Sequence, residues 1–425
     1  MNTRLIPMGS NDYQAEAAEP SWLDRLARRL VLSKLDDLEM GQVVVTENGE
    51  HMTYGRLTAE FPLTAHVEVR NPKFYSDMAF GGTIGAGEAF MNGYWGCGEL
   101  TDLLRIIVRN RHVMDNMDTG LARLGAPLQK ALHWLNRNTR KGSRKNISAH
   151  YDLGNDFYRL WLDPKMMYSA AYFETADTSL EDASIEKLDR ICRKLDLSAD
   201  DRVVEIGSGW GGFAIHAAKH YGCHVTTTTI SRQQYEWAER AIRDEGLEDR
   251  ITLLFEDYRD LEGQFDKLVS IEMIEAVGHQ FHVTYFRKCC ELLKPDGQML
   301  LQAITIADQH YDDYKTSVDF INRYIFPGGC LTSVTDMTRT MTKHTDMRVI
   351  HIEDIGPHYA LTLRHWHDRF MARLDEVSAL GYPDTFIRMW QFYLAYCESA
   401  FIERAIGDVH MLMMRPDARV DSIRY

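Results

Sequence analysis

A glycine-rich turn after a short apolar run is the part of this sequence best suited to hold a ligand. The run covers residues 203–206 and contains a single acid, Glu205. Because glycine has no Cβ, a turn of this kind lets a ligand approach the main chain closely. Residues 213–221 then have the pattern of an amphipathic helix. Unrelated nucleotide sites share this order of strand, turn and helix, so the motif alone does not identify the ligand. Its glycines are Gly207, Gly209 and Gly211.

Three more strands are predicted after this turn, and each is followed by side chains that can contact a ligand. The strands are expected at residues 224–229, 251–255 and 265–273, with helices between them. Four strands that alternate with helices indicate an α/β fold with a parallel, doubly wound sheet, and such sheets bind ligands at the carboxyl ends of their strands. The side chains at or just beyond these ends are Thr229, Ile230, Gln234, Asp257, Tyr258 and Glu275.

Two acids and a missing motif narrow the choice of ligand. No Lys-Ser or Lys-Thr pair follows the glycines, which argues against a phosphate-binding P-loop. Glu205 lies inside the glycine strand and Asp257 follows the third strand. Such acids suit an adenosine that carries an amino acid better than they suit a dinucleotide. The sequence therefore predicts a site for S-adenosyl-L-methionine.

Length and composition restrict the class of protein. A chain of 425 residues is long for one hydrophobic core, so two domains are expected. The net charge of −14 argues against nucleic-acid binding. No apolar run reaches the ~20 residues of a membrane span, and no signal peptide is recognised. The seven cysteines are scattered without a CxxC pair, which indicates a reducing compartment and no metal site. A cytoplasmic protein is the simplest interpretation.

The chain before the glycine turn predicts a smaller α+β domain over residues 1–136. Its first residues are polar, a helix is expected at 21–35, and short alternating runs at 42–46 and 64–69 predict a small mixed sheet. Residues 80–95 are rich in glycine and aromatic side chains. They are interpreted as a packed turn, with a lipid-holding or docking surface as the alternative. That surface would use Phe90, Met91, Tyr94 and Trp95.

A basic linker at residues 137–149 is predicted to lead into a second domain at 150–425. Its basic side chains are solvated in the simplest interpretation. In the alternative they contact anionic lipid headgroups, where each adds roughly 1 kcal/mol near the surface. The aromatic segment 146–173 is expected to fold over the ligand as a lid. The basic residues are Arg137, Arg140, Lys141, Arg144 and Lys145.

Several stretches in a fixed order resemble the cyclopropane fatty acid synthase family, which acts on unsaturated acyl chains of phospholipids. Residues 85–95 also look like part of the amino-terminal lipid-binding domain of the longer members. The resemblance implies a class I S-adenosylmethionine-dependent methyltransferase sheet that follows this smaller domain. The other stretches are 150–155, 168–169, 205–212, 257–261, 324–331 and 392–403.

The resemblance also implies a reaction and a set of residues for it. A cis double bond of the lipid attacks the cofactor's methyl group, and a bound bicarbonate removes a proton from the resulting carbocation so that a cyclopropane ring closes. By position, Glu275 would hold the bicarbonate, Tyr359 would hydrogen-bond to it and Ile304 would contribute its backbone. The sequence departs from many members at two bicarbonate positions, where it has Ala170 instead of cysteine and Gln302 instead of histidine.

Further roles come from the same resemblance. The glycine turn would hold the methionine end of the cofactor, Glu205 would reach its ammonium group through water, and Asp257 would accept a hydrogen bond from the adenine. Cys397 matches a cysteine long labelled as the active-site residue, although a packing role is preferred because the chemistry needs no nucleophile. Apart from the resemblance, a carbocation in an apolar slot lacks a counter-ion, so ring faces are expected to stabilise it, and about half of the candidate rings are expected to serve packing only. The candidates are Tyr168, Tyr172, Phe320 and Tyr324. The remaining residues expected around the cofactor are Tyr168, Ser169, Thr229, Ile230, Gln234 and Tyr258.

The resemblance thus implies a cyclopropane-fatty-acyl-phospholipid synthase. Its partners would be unsaturated phospholipid acyl chains, reached by peripheral contact with the inner face of the membrane, and a homodimer is one option. Three alternatives stay open. The product is a methyl- or methylene-branched chain, which the alanine at position 170 motivates; the substrate is a small amine, since some alkaloid N-methyltransferases resemble this fold; or the protein binds lipid with an inactive cofactor site. The amino-terminal domain argues against the second alternative and the intact glycine turn against the third.

Overall fold

The computed structural model describes residues 19–111, 143 and 153–419. These residues belong to two compact units, one within Met1–Gly125 together with Asp384–Phe392, and one within Ala126–Pro383 together with Tyr393–Tyr425. The predictions for the polar residues before 19, for the five basic linker residues and for lid residues 146–152 lie outside the described residues. None of the helices in the described ranges is both long and apolar enough to cross a bilayer.

The first unit contains a four-stranded sheet in the order β2-β1-β3-β4. β1 pairs antiparallel with β2 and parallel with β3, which confirms the predicted small mixed sheet. Asn48 and Gly49 join β1 to β2 with φ angles of 51° and 81°, and Asn-Gly in this left-handed conformation is typical of a tight hairpin. The elements are α1 (Trp22–Leu35), β1 (Gly41–Glu47), β2 (Glu50–Arg56), β3 (Thr64–Val69), α2 (Lys73–Met91), β4 (Trp95–Cys97) and α3 (Leu100–Arg109).

The glycine-rich stretch 80–95 is mainly helical, so its prediction as a packed turn is wrong. α2 runs through it and is interrupted only at Gly82, where φ is 56°. Phe90 and Trp95 are buried, and their ring centroids lie 5.0 Å apart. These two side chains therefore belong to the core of the first unit and do not form an exposed docking surface.

The second unit contains a seven-stranded sheet in the order β10-β11-β9-β8-β5-β6-β7. The predicted parallel, doubly wound arrangement is confirmed for β5 to β9, whereas β11 runs antiparallel to β9. The order of the parallel strands reverses between β5 and β8, and ligands of such sheets bind at this reversal. The strands are β5 (Arg202–Ile206), β6 (His224–Thr228), β7 (Ile251–Leu254), β8 (Phe265–Ile271), β9 (Leu293–Ile306), β10 (Arg348–Asp354) and β11 (Ile406–Met414).

Alternation along the strands places apolar side chains on both faces of this sheet. Val203 packs into one hydrophobic cluster, and its neighbour Val204 packs into the cluster on the other face. Helices cover both clusters, as expected for a doubly wound fold. The described helices that follow β4 and α3 in the chain are α4 (Asn155–Tyr158), α5 (Leu180–Lys194), α6 (Gly212–Tyr221), α7 (Arg232–Asp244), α8 (His282–Leu292), α9 (Asp308–Tyr314), α10 (Phe320–Tyr324), α11 (Val334–His344), α12 (Gly356–Ala372), α13 (Leu374–Ala379) and α14 (Asp384–Ile402). The residues of α14 up to Phe392 belong to the first unit.

Candidate active site

A cavity opens at the carboxyl ends of β5, β6, β7 and β8. Residues from all four of these strand ends line it, and this is where doubly wound sheets bind their ligands. Apolar side chains such as Phe326 lie beside the polar ones. The predicted site residues that line it are Tyr168, Ser169, Glu205, Gly207, Gly209, Thr229, Ile230, Gln234, Asp257, Tyr258 and Glu275.

The glycine turn presents bare main chain to this cavity. Gly207, Gly209 and Gly211 have φ angles of 94°, 50° and 94°, in the left-handed region that favours glycine. No atom of the described residues would lie within 4 Å of a Cβ at Gly209, so the space beside it is open to a ligand. Gly211 does not line the cavity, because it starts α6 and faces Ala238, which a Cβ would approach to 3.2 Å.

Glu205 is a buried acid in the wall of the cavity. Its Oε2 accepts a hydrogen bond of 2.5 Å from the Thr227 hydroxyl. Burial raises its pKa to about 7, against the opposing effects of that hydrogen bond and of the Lys187 charge. A cationic ligand group beside Glu205 would favour its ionised form. The site therefore fits the ammonium group of an amino-acid ligand.

The residues after β6 and β7 are held in place by local hydrogen bonds. The Thr229 hydroxyl donates to Gln234 Oε1 at 2.9 Å. Asp257 forms a bidentate ion pair with Arg259, with distances of 2.8 and 2.6 Å. The hydroxyl of Tyr258 is buried and has no hydrogen-bond partner among the described residues. This side of the cavity thus has an acid whose position is fixed by Arg259.

Two further residues line the cavity from the segment before α5. Tyr168 and Tyr393 share a hydrogen bond between their hydroxyls at 2.9 Å. Ser169 accepts a hydrogen bond of 2.7 Å from the ammonium group of Lys187, which is completely buried. Burial lowers the pKa of Lys187 to about 8, although four nearby acids oppose that shift.

A carboxylate at the end of β8, Glu272, gathers donors from three distant parts of the chain. Its Oε1 accepts from the Ala170 amide at 2.8 Å and from Gln302 Nε2 at 2.7 Å. Its Oε2 accepts from the Tyr359 hydroxyl at 2.8 Å. The backbone of Glu272 is left-handed, with φ of 48°, which costs a non-glycine residue on the order of 1–3 kcal/mol. Glu272 also lines the cavity, and the sequence analysis did not single it out.

Gln302 orients this cluster because both of its amide hydrogens are directed to acids. Besides Glu272, its Nε2 donates to Asp408 Oδ2 at 3.0 Å. Its Oε1 lies 3.1 Å from His410 Nε2, and the Nδ1 of that ring lies 3.1 Å from the ammonium group of Lys194. Since the ammonium group can only donate, Nδ1 accepts and Nε2 carries the hydrogen that is donated to Gln302. His410 is therefore neutral and fixes the direction of the amide.

Glu275 sits one turn beyond Glu272 and has one free oxygen. Its Oε1 accepts from the Ile304 amide at 2.5 Å. Its Oε2 has no hydrogen-bond partner within the described ranges. Burial, and then the charge of Glu272, raises the pKa of Glu275 to about 8. At neutral pH Glu275 is therefore mostly protonated, and the same two causes raise the pKa of the buried Asp408 well above its ordinary value.

The predicted catalytic residues fall into two groups. Ala170, Gln302 and Tyr359 surround Glu272, while Ile304 binds Glu275. In the part of the chain that the structure describes, Cys397 is not among the residues that line the cavity, and burial raises the pKa of its thiol far above the ordinary value. Of the four rings expected to face a cation, Tyr168 lines the cavity. Those not found in the cavity wall are Tyr172, Phe320 and Tyr324.

The strand order, the glycine turn and the cavity define the class of protein. They are the fold and ligand site of a class I S-adenosylmethionine-dependent methyltransferase. The chain belongs to the mycolic acid cyclopropane synthetase family, whose model matches residues 138–411.

Curated relatives and a solved structure agree with this assignment. A cyclopropane-fatty-acyl-phospholipid synthase of Escherichia coli is 39% identical over 350 residues, which is 80% of this chain and 86% of that protein. The tuberculostearic acid methyltransferase UfaA1 of Mycobacterium tuberculosis is 36% identical over 338 residues, which is 75% of this chain and 76% of that protein. The mycolic acid cyclopropane synthase CmaA1, solved in complex with SAH and CTAB, is 29% identical with a TM-score of 0.60, and the match covers 64% of this chain and 98% of that one. The protein is an S-adenosylmethionine-dependent methyltransferase of the family that modifies fatty acyl chains.

Proposed function

We propose that this enzyme transfers one carbon from S-adenosylmethionine to a cis double bond of a phospholipid acyl chain and closes a cyclopropane ring. The observation that carries the proposal is the position of Glu272 and Glu275 in the wall of the same cavity as the glycine turn. Ring closure needs a group that removes a proton close to the transferred carbon, and acids at this place meet that need. The relationship to the synthase of Escherichia coli supports the choice of substrate.

The residues of the cavity fit the cofactor. The main chain of Gly207 and Gly209 would hold its methionine end, Glu205 its ammonium group, and Thr229 and Asp257 its adenosine. When bound, S-adenosylmethionine supplies an electrophilic methyl group. The chain itself must exclude water, align the double bond and accept a proton. Alignment of two reactants can supply ~7–11 kcal/mol of the barrier in the best cases, and the ring of Tyr168 can stabilise a cation by roughly 0.5–2 kcal/mol.

Transfer of a labelled methyl carbon to phospholipid tests the proposal. With [methyl-¹³C]-S-adenosylmethionine and vesicles of a monounsaturated phospholipid, we expect the label in the fatty acid methyl esters prepared afterwards. The labelled esters should be heavier than the starting ester by one CH₂ unit. Vesicles of fully saturated phospholipid serve as the control and should stay unlabelled. Absence of label from the unsaturated lipid would contradict the proposal.

A branched chain is the second candidate product. The observation that favours it is the relationship to a tuberculostearic acid methyltransferase at almost the same identity as to the cyclopropane synthase. Both products share the first bond. The ring forms when the new methyl group loses a proton directly, and a methylene branch forms when a hydride shift to the cationic carbon comes before that loss. A saturated methyl branch requires a hydride donor in addition. Fragmentation of the labelled ester distinguishes a ring from a methyl or methylene branch, and a branch as the only product would replace the ring in this proposal.

Replacing Glu205 by glutamine is expected to weaken cofactor binding. The amide cannot carry the negative charge that an ammonium group requires, and a hydrogen bond to a charged group contributes about 1.5–3 kcal/mol. We therefore expect the Kd of S-adenosylhomocysteine, measured by titration calorimetry, to rise by about 10- to 100-fold. Glu239→Gln, on an exposed position of α7, is the matched control and should bind like the wild type. If both variants bind S-adenosylhomocysteine with the same affinity, Glu205 does not contact the cofactor.

The first unit is proposed to bind the lipid. An apolar cavity in it is lined by side chains that include Val43, Phe74, Trp95 and Leu104, and such a surface suits an acyl chain. Other features also remain proposals. They are the division into residues 1–136, 137–149 and 150–425, the peripheral contact with the inner membrane face, the cytoplasmic location and the homodimer. Sedimentation with vesicles of anionic phospholipid would test the membrane contact.

A further inference from the structure

The donors that the family resemblance assigns to a bicarbonate are already taken by acids of this chain. The Ala170 amide and the Tyr359 hydroxyl each have one hydrogen, and both donate to Glu272. Both Gln302 amide hydrogens are used, one for Glu272 and one for Asp408. The Ile304 amide donates to Glu275. Within the described residues, none of these four groups keeps a hydrogen for an added anion.

The charges lead to the same conclusion. Glu275 and Asp408 both lie close enough to Glu272 for the carboxyl groups to affect one another's pKa. A bicarbonate placed among them would add a negative charge where burial already disfavours the ionised forms. The residues present therefore do not fit a bound bicarbonate.

We propose that the Glu272 carboxylate is the built-in base of this enzyme and occupies the place of the bicarbonate. The inference rests on the proposed function and names the catalytic group of that same site. Its two oxygens receive the hydrogen bonds that would orient the anion, and Glu272 lines the cavity next to the glycine turn. The base is thus attached to β8 and need not be captured from solution.

After the carbon has been transferred, the acyl chain holds a methyl group next to a cationic carbon. A Glu272 oxygen takes one proton from that methyl group, and the electron pair of the broken C–H bond forms the third bond of the ring. Glu272 becomes neutral and returns its proton to water through the cavity before the next turnover. No oxidant, reductant or metal is needed.

The sequence departures are explained by this arrangement. A histidine at position 302 could donate to one acid at most while it also contacted His410, whereas an amide donates to two acids and accepts from the ring. The small side chain of Ala170 leaves its own amide to bind Glu272. The left-handed backbone of Glu272 is compensated by three hydrogen bonds to its carboxylate.

Three proteins test the inference: the wild type, Glu272→Gln and Glu272→Gly. In buffer freed of carbon dioxide, the wild type should keep its turnover, and added bicarbonate should change it less than about twofold. Glu272→Gln should lower kcat by about 10²–10⁴-fold without rescue, since the amide still fills the space. Glu272→Gly relieves the left-handed backbone and frees the donors, so bicarbonate should raise its low activity at least tenfold. Glu262→Gln, at an exposed position, should behave like the wild type.

A binding measurement makes the result independent of turnover. Carbon-13 NMR of labelled bicarbonate should show no bound signal with the wild type and a bound signal with Glu272→Gly. S-adenosylhomocysteine should bind both proteins with similar affinity, which shows that the variant is folded. Bicarbonate binding to the wild type, or a wild-type rate that requires bicarbonate, would overturn the inference and leave the proposed function standing. Failure to label any acyl chain would instead overturn the proposed function, and the NMR result would still decide whether Glu272 excludes the anion.

Discussion

Replacing Lys187 by methionine is expected to lower the free energy of unfolding of the second unit, relative to the wild type, progressively as the pH rises from 5 to 8, because it removes the cation from a cluster of buried acids that ionise over this range. Lys187 is a completely buried cation on α5. Its charge acts on Glu272, Asp408, Asp163 and Glu205. Methionine fills a similar volume, so the loss comes from the charge and from the hydrogen bond to Ser169, not from a cavity.

The loss should also depend on pH. Without the lysine, the pKa values of these acids rise, so the acids stay protonated and uncharged in acid solution. The loss in free energy of unfolding is therefore smaller at low pH. The difference between wild type and variant is therefore expected to grow from pH 5 to pH 8. Urea denaturation at both pH values measures it. Lys219→Met, which breaks the more exposed ion pair with Glu245, is the control and should cost no more than about 1 kcal/mol. A Lys187→Met variant as stable as this control would show that the acids need no internal cation.

Replacing Glu275 by glutamine is expected to remove a large part of the pH dependence of stability. The pKa of Glu275 is about 8 in the folded protein, against an ordinary value of 4.5. Between these values the folded protein holds a proton that the unfolded chain has released. The contribution of Glu275 to stability is therefore complete below about pH 4.5, falls as the pH rises through 8, and is constant above that. Glutamine keeps the acceptor for the Ile304 amide and does not titrate.

Glu275→Gln and the wild type should therefore differ little at pH 4.5 and increasingly at higher pH. At pH 9 we expect the variant to be more stable by on the order of 3 kcal/mol, after allowance for the water that enters the cavity. Other groups, including Glu205 and Lys187, titrate in this range in both proteins, so the comparison of the two curves isolates Glu275. Glu262→Gln should follow the wild-type curve within about 0.5 kcal/mol. Parallel curves for Glu275→Gln and the wild type would show that Glu275 is ionised in the folded protein at neutral pH.

The sheet could be predicted from sequence because each parallel strand is a short apolar run that ends in glycine or polar residues. The Gly207 turn and the residues after β6 and β7 follow directly from that pattern. The helix α2 could not be predicted so easily, since glycine disfavours helices by about 1 kcal/mol per residue. Packing overrides that preference here. A Cβ at Gly85 would lie 1.9 Å from the Asp77 carbonyl oxygen, so the close approach of the chain requires glycine.

The role proposed for Glu272 could not be predicted from the pattern of strands and strand ends. Glu272 directly follows β8, which is a usable signal, but a single acid at a strand end is common. What distinguishes it is the set of donors at Ala170, Gln302 and Tyr359, which lie 102, 30 and 87 residues away in the chain. Only the folded structure brings these groups to one carboxylate. Glu275, the acid predicted from the same strand end, has a different environment, because within the described residues one of its carboxyl oxygens has no hydrogen-bond partner.

The side chain of Gln302 has a consequence for the working range of the enzyme. An amide carries no charge at any pH, whereas an imidazole at this position would gain or lose a proton under physiological conditions. The bridge from His410 through Gln302 to the two carboxyl groups therefore keeps its donors and acceptors unchanged while the acids around it titrate. A change in acidity therefore alters the protonation of Glu272 and Asp408, while the amide that links them keeps the same charge.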